Sequence, residues 1–89
     1  MINKQIDIVN KLGLHARAAA KFVACASHFE SSVHLIHNSH RVNGKSIMGV
    51  MMLAAAQGTT LTLSVDGKDE GSAVIALEEL VKNRFEEKC

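Results

Sequence analysis

Apolar and polar residues alternate through "KQIDIV", Lys4–Val9, which puts Ile6 and Ile8 on one face. A two-residue period is that of a half-buried strand. From Ala16 to Phe29 the period lengthens. Ala19, Phe22, Val23, Ala26 and Phe29 recur at three- and four-residue steps, predicting a helix with one apolar stripe. "SVHLIH" (Ser32–His37) and "HRVN" (His40–Asn43) flank Asn38-Ser39 and read as a hairpin. Ser46 is a favourable N-cap for a short helix over Ser46–Ala55, closed by Gly58. "TLTLSV", Thr60–Val65, alternates strictly, with Leu61, Leu63 and Val65 facing one way, and Asp66-Gly67 turns the chain. Asp69 is placed to cap a last helix whose stripe is Ala73, Ala76, Leu77 and Leu80.

The predicted order is β-α-β-β-α-β-α. Strands with one apolar face and helices with one apolar stripe bury both by stacking as two layers. The expected fold class is therefore α+β, with an antiparallel sheet that keeps one face wet. No proline, repeat or low-complexity stretch divides the 89 residues, which suit a single domain over 1–89.

Composition narrows the function. Apolar residues make up 47% of the chain, enough for a core, but no apolar run is long enough to span a bilayer. The start, "MINKQIDIVN", alternates and carries Asp7, unlike a secretory signal, so the protein is expected in the cytoplasm. Cys25 and Cys89 lie far apart and form no CxxC pair, so reduced thiols are expected, with neither metal nor cofactor. Net charge is only +1, Tyr and Trp are absent, and no basic stripe is present. Bases would have nothing to stack on, which excludes a nucleic-acid module. The distribution of charge says more than its sum. No carboxylate lies between Asp7 and Glu30, whereas Lys11, Arg17 and Lys21 do. Such a field favours an anion or a partner with an acidic face.

The stretch "KLGLHARAAAKF", Lys11–Phe22, sits inside that field and opens the first helix with His15. The first N–H groups of a helix have no internal partner and, with the macrodipole, attract anions. A phosphoryl group on the His15 ring could accept hydrogen bonds from the N–H groups of Ala16 and Arg17. The Arg17 guanidinium adds a fork suited to phosphate oxygens. A neutral imidazole keeps a lone pair and is a nucleophile. Gly13 permits an unusual turn that leaves the ring exposed. On its own, His-x-Arg is a short pattern that an ordinary solvated cap residue also satisfies.

"GLHARAAA" together with "VNGKSIMGVMMLAA", Val42–Ala55, resembles the HPr family. These are the histidine-containing phosphocarriers of the bacterial phosphoenolpyruvate-dependent phosphotransferase system. The likeness extends over nearly the whole chain, including the distance between the motifs. It implies an open-faced sandwich, a four-stranded antiparallel sheet covered on one face by three helices. It further implies that enzyme I phosphorylates His15 at Nδ1, that Arg17 helps hold the phosphoryl group, and that an enzyme IIA domain receives it. By this resemblance the protein is expected to be a monomer that turns over no small molecule by itself. One departure is Ala18, where the family usually has proline. Alanine keeps helix propensity without proline's fixed φ, so the loop is expected to be looser, with no reactive group lost.

Ser46 matches the serine that an HPr serine kinase/phosphorylase modifies in many such proteins. Phosphate at an N-cap would favour the helix, and about two added negative charges would repel an acidic partner. The helix after it is apolar nearly all round, and so short a helix cannot bury every side. Ala20, Ile47, Met48 and Met51 match the family's docking patch. Val50 and Leu53 are expected in the core, with Met48 and Met51 exposed to partners, for which methionine's adaptable side chain is suited. An alternative function is a regulatory binding protein without carrier activity, acting through Ser46 and the Met48/Met51 patch. Relatives specialised that way tend to lose the active histidine, and His15 is present. Finally, "HLIHNSH" invites a metal reading. On a strand His34 and His37 point to opposite faces, and a two-residue turn leaves His37 and His40 as two ligands at best. A structural zinc takes four.

Overall fold

The computed structural model describes residues 1–86, so Cys89 lies outside the described residues. The elements run β1 (Ile2–Asp7), α1 (Ala16–Ala26), β2 (Ser32–His37), β3 (His40–Asn43), α2 (Ile47–Met52), β4 (Thr60–Asp66) and α3 (Glu70–Lys82), followed by a short turn, Arg84–Glu86. The sheet order is β1-β4-β2-β3, and every neighbouring pair is antiparallel. This is the α+β open-faced sandwich expected, with three helices on a four-stranded sheet.

Alternation decides which way each strand faces. Val33 and Leu35 on β2, and Leu61, Leu63 and Val65 on β4, are buried under the helices. They meet Ala18, Ala19, Phe22 and Ala26 of α1, Val50 of α2, and Ala73, Val74, Leu77 and Val81 of α3 in one core. Phe85 closes the core from the last turn. The stripe on α3 is thus rotated from the one expected. Val74 and Val81 are buried, while Ala76 and Leu80 flank the stripe half-buried.

Three element ends differ from those the sequence predicts. The first helix stops at Ala26, not Phe29. His28 and Phe29 donate to carbonyls three residues back, the tightened geometry of a helix end. The short helix stops at Met52, because Ala54 adopts a left-handed φ of 49° and turns the chain away. β1 runs Ile2–Asp7 rather than Lys4–Val9, although Ile8 still donates to Thr59 and is buried.

Asp69 departs most from expectation. It sits at the start of α3, yet its side chain caps nothing there. Its carboxylate instead accepts from the backbone N–H groups of Glu30 and Ser31, each at 3.0 Å, and from the Ser31 hydroxyl. It thereby ties the turn before β2 to the start of α3. These donors, led by the Ser31 hydroxyl, hold the Asp69 carboxyl at about 2, below its ordinary 3.8. A folded-state value depressed in this way stabilises the fold fully above the unfolded value and loses that contribution as pH falls through about 2. Asp69→Asn should therefore unfold more readily in urea than wild type at pH 6. The gap between the two should close as pH is lowered from about 4 towards 2. A gap independent of pH over that window would show that the carboxylate charge is not what the turn uses.

Candidate functional site

His15 is placed by the segment before it and by the helix it opens. Gly13 has φ of +69°, and a Cβ there would lie 2.4 Å from the Ala55 carbonyl oxygen. Only glycine allows that approach. Leu14, buried, donates its N–H to the same oxygen at 2.8 Å. The loop before His15 is thus bonded to the segment just beyond α2.

His15 itself is extended, with φ −74° and ψ 176°, and is the N-cap of α1. Its carbonyl accepts from Ala19, and its ring takes the part usually played by a serine or aspartate. The backbone N–H of Arg17 donates to His15 Nδ1 at 3.2 Å. A ring nitrogen that accepts a hydrogen bond carries a lone pair and no proton. In this arrangement the half-exposed ring keeps Nδ1 unprotonated. The Arg17 N–H, expected to bond a phosphoryl oxygen, here bonds the ring itself. Ala16, Arg17 and Ala20 are exposed. Among the described residues nothing pairs with the Arg17 guanidinium. Ala18, fully buried by its methyl group, keeps a backbone N–H that proline would lack.

The basic field is smaller than the sequence implied. Lys21 Nζ donates to the Phe85 carbonyl at 3.0 Å and pairs with Glu86 at 3.4 Å, so its charge faces the chain's last turn. Lys11 and Arg17 remain exposed.

α2 packs against α1 and presents Ile47, Met48 and Met51 to solvent, while Val50 and Leu53 are in the core. Further apolar side chains that the sequence did not single out are exposed, among them Met52 at 78% and Leu12 at 68%. Leu12 lies in the turn before Gly13, between exposed Lys11 and buried Gly13. Its neighbours in sequence could have flagged it. Ser46 caps α2, its hydroxyl accepting from the Gly49 N–H at 3.2 Å. It stands at the opposite end of α2 from the Ala55 anchor, separated by about 9 Å of helix.

His37 and His40 oppose one another across the turn, beside Met52 and Leu53. His34 lies on the other face, where burial and the Arg41 guanidinium hold it below its ordinary value. Among the described residues no three His, Cys, Asp or Glu side chains converge on a metal position. Burial raises the Cys25 thiol, which disfavours its thiolate form. Among the described residues no helix is long and apolar enough to cross a membrane.

Set beside known proteins, this architecture gives a class first. The chain superposes on the crystal structure of HPr-C-His from Thermoanaerobacter tengcongensis with a TM-score of 0.95 and 45% identity, covering 100% of both chains. It is 55% identical over 87 residues to the phosphocarrier protein HPr of Neisseria meningitidis, covering 98% of each. The solution structure of Crh, the catabolite repression HPr of Bacillus subtilis, is similar at 39% identity and a TM-score of 0.64, with 99% of this chain and 100% of that one covered. The class is that of the phosphocarriers. The family model described as PTS HPr component phosphorylation site matches residues 2–83, and the chain belongs to the HPr family of the phosphotransferase system.

Proposed function

We propose that the protein is a single-domain, monomeric phosphoryl carrier of the cytoplasm, charged by phospho-enzyme I on His15 and discharged to an enzyme IIA domain. The observation that carries this reading is the Arg17 N–H donating to Nδ1, which leaves that nitrogen's lone pair as the ring's nucleophile. In the transfer, the lone pair forms the P–Nδ1 bond as the bond from phosphorus to the donor breaks. The donor's leaving group keeps the electron pair. The Arg17 N–H then turns from the nitrogen to a phosphoryl oxygen, and the unpaired guanidinium supplies a second, charged donor. Nothing else is needed, because the partner brings the activated phosphorus. Transfer onward reverses the same steps.

Exposed Ile47, Met48 and Met51, with Ala20 on α1, form the docking surface, and the partners' acidic groups meet Arg17. Phosphorylation of Ser46 by an HPr serine kinase/phosphorylase adds charge to that surface without undoing the cap. Ser46→Asp imitates this, since aspartate also caps helices well. Its affinity for enzyme I should fall by up to about fivefold at low salt, recovering as salt screens the charge. Calorimetry showing equal affinity for both forms at low salt would rule out repulsion as the means.

A regulatory binding protein without carrier activity would use the same α2 surface and Ser46. Incubation with enzyme I and labelled phosphoenolpyruvate separates the two readings. The carrier takes up one acid-labile phosphoryl group per chain, and a chain that stays unlabelled is the regulatory protein.

A further inference from the structure

We propose that Asn10 is a positioning residue for the transfer, a reading that rests on the assignment of the phosphoryl acceptor to His15. Asn10 is wholly buried, although its amide is one of the more expensive groups to take from water. Its neighbours Val9, Lys11 and Leu12 are exposed, so Asn10 turns inward between exposed residues. The Asn10 side chain Nδ2 donates to the Gly13 carbonyl at 2.7 Å, and the Asn10 carbonyl accepts from the Gly13 N–H at 3.2 Å. The asparagine thus spans the Asn10–Gly13 turn twice, once with its backbone and once with its side chain.

The peptide unit joining Gly13 to Leu14 is the part this fixes. Its carbonyl is held by the Asn10 amide, and its N–H is held by the Ala55 carbonyl at 2.8 Å. Both ends of one peptide plane are therefore bonded to different parts of the chain, immediately before His15. Glycine has no side chain to resist rotation of that plane, and Gly13 is needed for its close approach to Ala55. Asn10 supplies the resistance that Gly13 lacks. Turning the plane over would leave the buried Asn10 amide without that partner and break the Leu14 bond as well. The direction in which the chain enters α1, and with it the register of Nδ1 against the Arg17 N–H, follows from this plane. In this role Asn10 acts through Gly13 and His15 rather than on the phosphoryl group.

Asn10→Ala removes the donor to Gly13. If the variant does not fold, Asn10→Ser, with a smaller polar group, carries the same comparison. For transfer from enzyme I, kcat should fall roughly tenfold while KM for the carrier stays unchanged, because α2 is untouched. Nitrogen-15 spectra of the His15 ring should lose the single tautomer with an unprotonated Nδ1, and the Leu14 amide should exchange at least about tenfold faster with solvent. A purely structural role would lower Tm and leave kcat and the tautomer alone in the folded variant, which would overturn the proposal. If wild type itself takes no phosphoryl group, the carrier reading fails. The tautomer and the Leu14 exchange then still decide whether Asn10 sets the geometry of His15.

Discussion

Replacing His15 with alanine should abolish labelling by enzyme I and phosphoenolpyruvate completely, while wild type carries one acid-labile group per chain. The chemistry leaves no substitute, because among the described residues no other imidazole accepts a hydrogen bond at Nδ1 from a helix N-terminus beside an arginine whose guanidinium pairs with none of them. The same substitution removes the N-cap acceptor of α1, so the variant should also lose about 1 kcal/mol of stability. Arg17→Ala divides these effects. It keeps the backbone N–H that caps the ring and loses only the guanidinium. Thermal unfolding should therefore match wild type, whereas the rate of transfer should fall roughly tenfold to a hundredfold, as for one charged hydrogen bond of about 1.5–3 kcal/mol. Wild-type transfer by Arg17→Ala would show that the arginine does not hold the phosphoryl group. Undiminished labelling of His15→Ala would move the acceptor elsewhere.

Gly13→Ala should be the most damaging single methyl in the chain. The new Cβ would lie 2.4 Å from the Ala55 oxygen and 3.0 Å from the Ala56 Cα, both backbone atoms that cannot rotate away. The positive φ of 69° adds conformational strain for any residue with a Cβ. Together these should cost about 3 kcal/mol, lowering Tm by roughly 15 °C for a domain of this size. Transfer should slow roughly tenfold or more in the fraction still folded, since relief of the clash pushes His15 away from its place. Gly71→Ala is the control. A Cβ at Gly71 meets nothing within 4 Å, and alanine is the better helix former, so the same chemical change should raise stability by about 0.5 kcal/mol. Equal effects at the two glycines would mean that the Gly13–Ala55 contact carries no weight.

The nature and order of the elements were legible because each signal is local. Strict alternation in Thr60–Val65 and the three-to-four spacing from Ala19 to Ala26 are properties of neighbouring residues, and burial follows them. The Asn38-Ser39 turn was legible for the same reason, with Asn38 adopting a left-handed φ of 58° and His37 facing His40. His15 at the start of α1, Ser46 at the start of α2 and the exposure of Met48 and Met51 could also be read directly. A helix start is marked by its own residues, and a short helix apolar on all sides has to expose some of them.

What the chain alone left open was decided by bonds between segments distant in sequence. Asp69 reads as a cap, but the N–H groups of Glu30 and Ser31, reached only through the fold, offer its carboxylate more donors than its own helix. Lys21 reads as part of a field around His15, but the Phe85 carbonyl and Glu86 claim it. α2 reads to Ala55, but Ala54 turns left-handed and the Ala55 carbonyl beyond it meets the distant Leu14 N–H. Periodicity and capping preferences rank local choices separated by about a kilocalorie per mole, whereas a buried group deprived of its partner costs as much or more. The sequence therefore determined which elements form and which histidine opens a helix, and tertiary structure decided where the loop before that histidine is anchored and which charged side chains are drawn away from it.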